Sequence, residues 1–367
     1  MNRRKAFEDI INHRQPDMVI KDLGGCPLSC MEDSCAENMK AYMKLEGYES
    51  LTGYGIDERI LLRLDIDTRG VGYILEPKKS LKKNISDTEY IDDWGIRRKF
   101  TGMYWENVDA PLKGATISDL EKYTWPDPET IDTAEIEKIV KDAKYLYEQT
   151  DYIICASHPV FGVFELGCWM CGFDDFLYKM ALDPEFIKFF FDKYSEYQKT
   201  VTEMYYKDLG RYIHYTSSGD DFATQQSAFM SVDMFDELIK PYLAKRIALT
   251  KNFTDAKFLH HSCGNVRNLI PSLIDAGVDI LNPIQPTGDN MSPQALKDNF
   301  GERIIFHGGL DTQQLLPFGS KEAIEREVND LLSVMTKNGG YIFAAAHNLQ
   351  SDVPPENIVA MFAATGK

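Results

Sequence analysis

Cations are scarce in this chain: 40 lysines and arginines stand against 57 aspartates and glutamates in 367 residues, a formal charge of −17. Such a balance repels phosphate backbones, and no lysine or arginine stripe offsets it, so nucleic acid and anionic membrane surfaces are disfavoured as partners. Long apolar runs are missing too. None approaches the ~18 residues of a membrane span. The opening "MNRRKAFEDI" has no apolar core of the kind a secretory signal carries. Cysteine is sparse and odd in number, with 7 in all. In a long chain without an export signal this points to reduced thiols and a cytoplasmic protein. Short repeats, low-complexity tracts and long linkers are absent as well.

What is present is alternation. Residues 211 to 217, 257 to 262, 278 to 283, 303 to 309 and 340 to 347 read as buried strands, and helical patterns separate them. Ser292-Pro293 and Ser320 are good helix starts; Gly277, Gly301 and Gly339 are good stops. Upstream, "DYIICAS" (151 to 157) and "MVIKDLGG" (18 to 25) fit further strands. Asp183 and Pro184 open a helix that Gly210 can close. Along it Phe186, Phe190, Tyr194, Tyr197, Val201 and Met204 form one core-facing stripe. Strands alternating with amphipathic helices imply a parallel sheet with helices outside. The spacing predicts an α/β fold, and the expected architecture, which the resemblance given below implies, is a (β/α)8 barrel in one domain over 1–367 with an amino-terminal extension. Residues 60–120 are expected to be an insertion, with a hairpin over 91–112.

Polar clusters follow the late strands abruptly: Asp220 and Asp221, then His261 and Cys263, Asn282 and Gln285, His307, and His347 with Gln350. In a barrel these strand ends open onto one face, where the active site is built. Side chains two apart on a strand point the same way, so His261 and Cys263 can share the mouth while His260 faces the packing. Imidazole and thiolate are zinc donors, and a catalytic site uses about three protein ligands. His347 is the expected third. Cys168 and Cys171 read as a buried pair, and Cys26, Cys30 and Cys35 match no metal spacing.

The blocks "LHHSCGNVRNLIPSLIDAGVDILNPIQ", "RIIFHGGLDTQQLLPFG" and "GGYIFAAAHNLQSDVPPENIVAM" resemble the uroporphyrinogen decarboxylase superfamily, which includes corrinoid-dependent methyltransferases. The resemblance is good over residues 150 to 367 and implies a (β/α)8 barrel. The decarboxylases carry an arginine-rich block where this chain reads "IKDLGGCPLSCME", without arginine. His261 and Cys263 match the His-x-Cys of the methyltransferases. His347 departs from the cysteine usual there. The resemblance implies a zinc-dependent, corrinoid-linked methyltransferase; histidine in place of a thiolate leaves the metal more electrophilic, which favours moving a methyl group from a small O-methyl donor, such as a methoxylated aromatic, to Co(I). The corrinoid comes on a separate protein, since no Asp-x-His-x-x-Gly signature is present. Asp220 or Asp221 would orient the substrate or manage a proton. Glu165 would complete the shell or serve only as a helix-start carboxylate. Asn282, Gln285, His307 and Gln350 would line the substrate wall. Methylation of a thiol, or metal-free decarboxylation of a small acid, is the competing reading. A homodimer is open to either.

Overall fold

The computed structural model describes residues 2–366 except 54, 103, 104, 287 and 289. Its strands are β1 (Thr68–Val71), β2 (Lys83–Ser86), β3 (Glu89–Ile91), β4 (Arg97–Phe100), β5 (Trp105–Asp109), β6 (Ile153–Ser157), β7 (Tyr215–Gly219), β8 (Lys257–His261), β9 (Ile280–Asn282), β10 (Ile305–His307) and β11 (Tyr341–Ile342). Seven of them form one parallel sheet in the order β1-β6-β7-β8-β9-β10-β11, with helices between consecutive members.

Residues 20–22 close this sheet into a barrel. Lys21 bridges Phe343 in parallel, just beyond β11. The Phe343 amide donates to the Ile20 carbonyl at 2.9 Å, and the Asp22 amide donates to the Phe343 carbonyl at 2.8 Å. On the other side the Asp67 amide, just before β1, donates to the Lys21 carbonyl at 3.0 Å. The expected first strand over 18 to 25 is thus a short stave rather than a full strand, because the chain turns away at Asp22 and Gly24.

Alternation along the strands divides the core in two. Ile20, Cys26, Ile153, Cys155, Tyr215, Leu259, Ile280, Ile305 and Ile342 fill the barrel, and Ala6, Phe7 and Ile10 of the first helix (Arg3–Ile11) plug one end. Outward-facing neighbours such as Ile154, Phe258, Leu281 and Phe306 join the larger layer beneath the helices. On β8 this places Leu259 and His261 inward and Phe258 and His260 outward. β8 begins at Lys257 as the apolar run does, whereas β7, β9, β10 and β11 begin later than theirs. β7 starts at Tyr215 because residues 210–212 form a 3₁₀ turn.

The 60–120 insertion is narrower than expected. β1 lies inside that range yet is a barrel stave, paired in parallel with β6. The inserted part is the antiparallel sheet β2-β3-β4-β5, a four-stranded meander where the sequence suggested one hairpin over 91–112. The residues joining β4 to β5 include 103 and 104, outside the described set. Strongly alternating polarity is lost here because most side chains on β2, β4 and β5 are exposed. Among the described residues no helix is long and apolar enough to cross a membrane.

The long helix Pro184–Leu209 begins as expected, with the Asp183 carboxylate accepting from the Phe186 amide. Phe190 is fully buried against Trp125, Phe176 and Phe191. Replacing it by alanine removes a ring from a close-packed layer, and Phe190→Ala should lower stability by about 3–5 kcal/mol in urea unfolding. Met204, only partly buried on the same stripe, should cost less than half as much when cut to alanine.

Candidate metal centre

His261 ends β8 with its side chain inward, and Cys263 follows two residues on. The turn between them depends on Gly264. Its φ is +84°, and a Cβ there would lie 2.4 Å from the Thr224 carbonyl oxygen, so glycine alone suits the position. Two side chains pin the turn from outside. Asp221 Oδ1 accepts from the Cys263 amide at 2.7 Å, and Gln285 Oε1 accepts from the Gly264 amide at 2.7 Å. Cys263 Sγ then sits 3.3 Å from His261 Nε2. His347 comes from beyond β11, its ring 5.8 Å from that of His261.

The donor atoms of His261, Cys263 and His347 all lie within 4.8 Å of one another. Tetrahedral zinc with bonds of about 2.0–2.3 Å separates its donors by roughly 3.3–3.8 Å, so a small contraction would close the set. Two imidazoles and a thiol form a borderline-soft donor set that suits zinc. Burial pushes the Cys263 thiol up to about 12, with the charges of Asp221 and Glu165 adding to the effect. Burial lowers the His347 pKa, and the neighbouring His261 lowers it further. The imidazole is therefore held in the neutral form a metal needs, whereas the thiol needs a cation to ionise.

Two cavities meet here. One, of about 740 Å³, is bordered by His261, His347, Glu165 and Asp221 and walled by apolar side chains including Val71, Ile74, Phe161 and Trp169. No lysine or arginine is among the described residues lining it. Cys26 and Cys30, which follow the expected first strand, reach this cavity. The other cavity, of about 530 Å³, is bordered by Cys263 and His347 and is polar, with Gln225, Gln285, Gln313, Asn348 and Gln350. His347 belongs to both.

Several residues expected in one pocket are separated by the structure. Asp220 faces away from the cavities. Its carboxylate accepts from the amides of Val163 and Glu165 at 2.9 Å each, capping the helix Val163–Cys171. A Cβ on Gly162 would lie 2.1 Å from that carboxylate, so the helix start and the cap fit only with glycine there. Asp221 is the one of the pair that borders the cavity. Asn282 and His307, expected on the substrate wall, are fully buried behind His261. They are inward-facing on β9 and β10, below the level of the mouth. Gln285 and Gln350 line the polar cavity rather than the apolar one. His260 faces outward as expected, stacked on Phe222 at 5.3 Å. Burial drives its pKa down to about 3. Cys168 and Cys171 are buried and unbridged.

Glu165 is the third residue of its helix and faces the apolar cavity. Desolvation by burial, and then the charges of Asp220 and Asp221, push its carboxyl up to about 8. A helix start usually favours a carboxylate, but Asp220 already occupies the amides.

The sequence profile of the uroporphyrinogen decarboxylase (URO-D) family matches residues 107–367. A uroporphyrinogen decarboxylase from Geobacter sulfurreducens is 24% identical over 256 residues, 67% of this chain and 68% of that protein. One from Helicobacter hepaticus is 34% identical over 71 residues, so the chain spans only 20% of that relative's length. A methyltransferase from Methanosarcina mazei has the same fold, with a TM-score of 0.63 at 15% identity over 100% of this chain and 98% of that one. The chain belongs to the uroporphyrinogen decarboxylase family.

The raised Glu165 pKa has a measurable consequence. The folded state binds this proton more tightly than the unfolded state, whose reference pKa is 4.5. The resulting stabilisation is complete below that value and is lost as pH rises through about 8. In zinc-free protein, Glu165→Gln should melt close to the parent at about pH 5 and several degrees above it at about pH 9. Thermal unfolding across that range checks this; a constant difference between the two proteins would refute it.

Proposed function

We propose that this member of the uroporphyrinogen decarboxylase family is a zinc-dependent methyltransferase. It moves a methyl group from a small O-methyl donor, such as a methoxylated aromatic, to the Co(I) of a separate corrinoid protein. The observation that carries this reading is the His261, Cys263 and His347 donor set at the junction of an apolar and a polar cavity.

His261, Cys263 and His347 would hold the metal. Zinc, when bound, supplies Lewis acidity toward the ether oxygen and makes that oxygen a better leaving group. The remaining work falls to the chain. Val71, Ile74, Phe161 and Trp169 bind the organic part of the donor and exclude water from it. Glu165 keeps a proton on its carboxyl at neutral pH and can hand it to the departing oxygen. Asp221 holds the Cys263 turn in place through its amide and presents its carboxylate to the cavity. A donor set with one thiolate delivers less charge than one with two, which favours polarising an oxygen over keeping a thiolate nucleophilic.

Decarboxylation of a porphyrin polycarboxylate, the activity in the names of the curated relatives, fits the cavity less well. Such a substrate calls for guanidinium and ammonium partners, and the described lining offers carboxyls instead.

The test incubates zinc-loaded protein with reduced corrinoid and a panel of methyl ethers while the cobalt spectrum is followed. Methylated corrinoid should form with at least one ether, and His261→Ala should slow its formation roughly a hundredfold. Failure with every ether, alongside rapid demethylation of methyl-cobalamin by a thiol, would reverse the direction of transfer. Release of carbon dioxide from a small acid by metal-free protein would replace the reading with a decarboxylase.

A further inference from the structure

His261 is joined to an unbroken line of buried polar groups. Its Nδ1 lies 2.5 Å from Asn282 Oδ1. Asn282 Nδ2 lies 2.7 Å from His307 Nδ1, and His307 Nε2 lies 2.7 Å from Asp22 Oδ2. Asn282, His307 and Asp22 are buried to 1% exposure or less, so no solvent completes or competes with these bonds.

With a single proton on His307, the far end sets the direction of every bond. Asp22 Oδ1 accepts from the Gly25 amide at 3.0 Å and from the Thr68 hydroxyl. Asp22 Oδ2 accepts from the Ser29 hydroxyl at 2.6 Å as well as from His307. Four donors surround the two oxygens, an arrangement for a carboxylate and not for a carboxylic acid. Burial alone would raise the Asp22 pKa, but the bonds from His307, Ser29 and Thr68 outweigh it and leave the pKa lowered. His307 must therefore carry its proton on Nε2. In neutral His307 the other nitrogen, Nδ1, is then an acceptor, and only the Asn282 NH₂ can serve it. That sets the amide orientation. Asn282 Oδ1 now faces His261 and can only accept, so His261 donates from Nδ1. In the singly protonated ring Nε2 then carries the lone pair, 3.3 Å from Cys263 Sγ and 3.6 Å from Asp221 Oδ1.

We propose that Asp22, His307 and Asn282 are positioning residues that lock His261 into the Nδ1-protonated tautomer, so that Nε2 is ready to bind the metal before the metal arrives. The inference rests on His261 being a metal ligand and not on the reaction being methyl transfer. A negative result with methyl ethers leaves it standing. Outer partners of this kind raise ligand basicity and typically account for 10–100-fold in metal affinity.

The test uses the full chain with ¹⁵N-labelled histidine. In zinc-free protein, long-range ¹H–¹⁵N correlations should show His261 with Nδ1 protonated and Nε2 bare. Zinc affinity is then measured by competition with a chromophoric chelator. Glutamine can mimic neutral His307, with Oε1 accepting from Asn282 and Nε2 donating to Asp22, so His307→Gln should stay within about threefold of the parent. Leucine fills the space but ends the line, so His307→Leu should weaken zinc binding by about 10–100-fold. A role in packing alone would treat the two substitutions alike. Protonation of His261 on Nε2 or a mixture of tautomers in the parent, or equal affinities for the two variants, would overturn the proposal. The tautomer measurement decides the matter even if the leucine variant fails to fold.

Discussion

One buried negative charge orders the centre of this protein. Asp22 has no access to water, so its charge is sustained by donors alone: one amide, two hydroxyls and one imidazole. A carboxylate in that position cannot donate, and each neighbour must adapt to that fact. The adaptation runs through His307 and Asn282 to His261, across three adjacent strands. The donor geometry of the mouth is thus set from the interior of the barrel. This acidic chain builds its anion site from hydrogen-bond donors: one backbone amide, two hydroxyls and one imidazole.

Much of this was legible in the sequence, and the parts that were not share a cause. Period-two alternation correctly turned His261 inward and His260 outward, because β8 is buried on both faces and each face has a different neighbour. The helix after Asp183 was legible from its cap and its stripe. The site lists were less faithful. Asp220 and Asp221 are adjacent in sequence and look equivalent, yet one caps a helix and the other borders a cavity. Which does which depends on where the helix Val163–Cys171 starts, about 55 residues away in sequence. Asn282 and His307 followed the pattern of a polar residue after an apolar run. That pattern marks the inner face of the barrel but not the depth within it. Asp22 was not singled out at all. The only hint was the pair Gly24-Gly25, where a Cβ on Gly25 would meet Asp22 Oδ1 at 2.3 Å.

The two cavities divide the chemistry that the centre can bring together. The apolar side offers van der Waals contact and two carboxyls of different character, Glu165 with its raised pKa and Asp221 partly open to solvent. The polar side offers amides, which can accept and donate without carrying charge, beside the carboxyls of Asp311 and Asp352. His347 stands between them, so a group bound on one side lies within one side chain of a group bound on the other. An enzyme that joins two dissimilar partners needs this kind of partition, since one uniform pocket could not solvate both.

The stave at residues 20–22 gives the barrel a seam. It is held by a single bridge and a few hydrogen bonds, and it joins the beginning of the chain to its end. Asp22 sits on that seam, 285 residues from the histidine it governs. A chain folded everywhere except at its amino-terminal segment would bring the three candidate ligands together, yet would leave His307, and through it His261, free to exchange tautomers. Completion of the fold and readiness of the ligand are therefore a single event. Opening of the seam would reach the mouth as a loss of proton order.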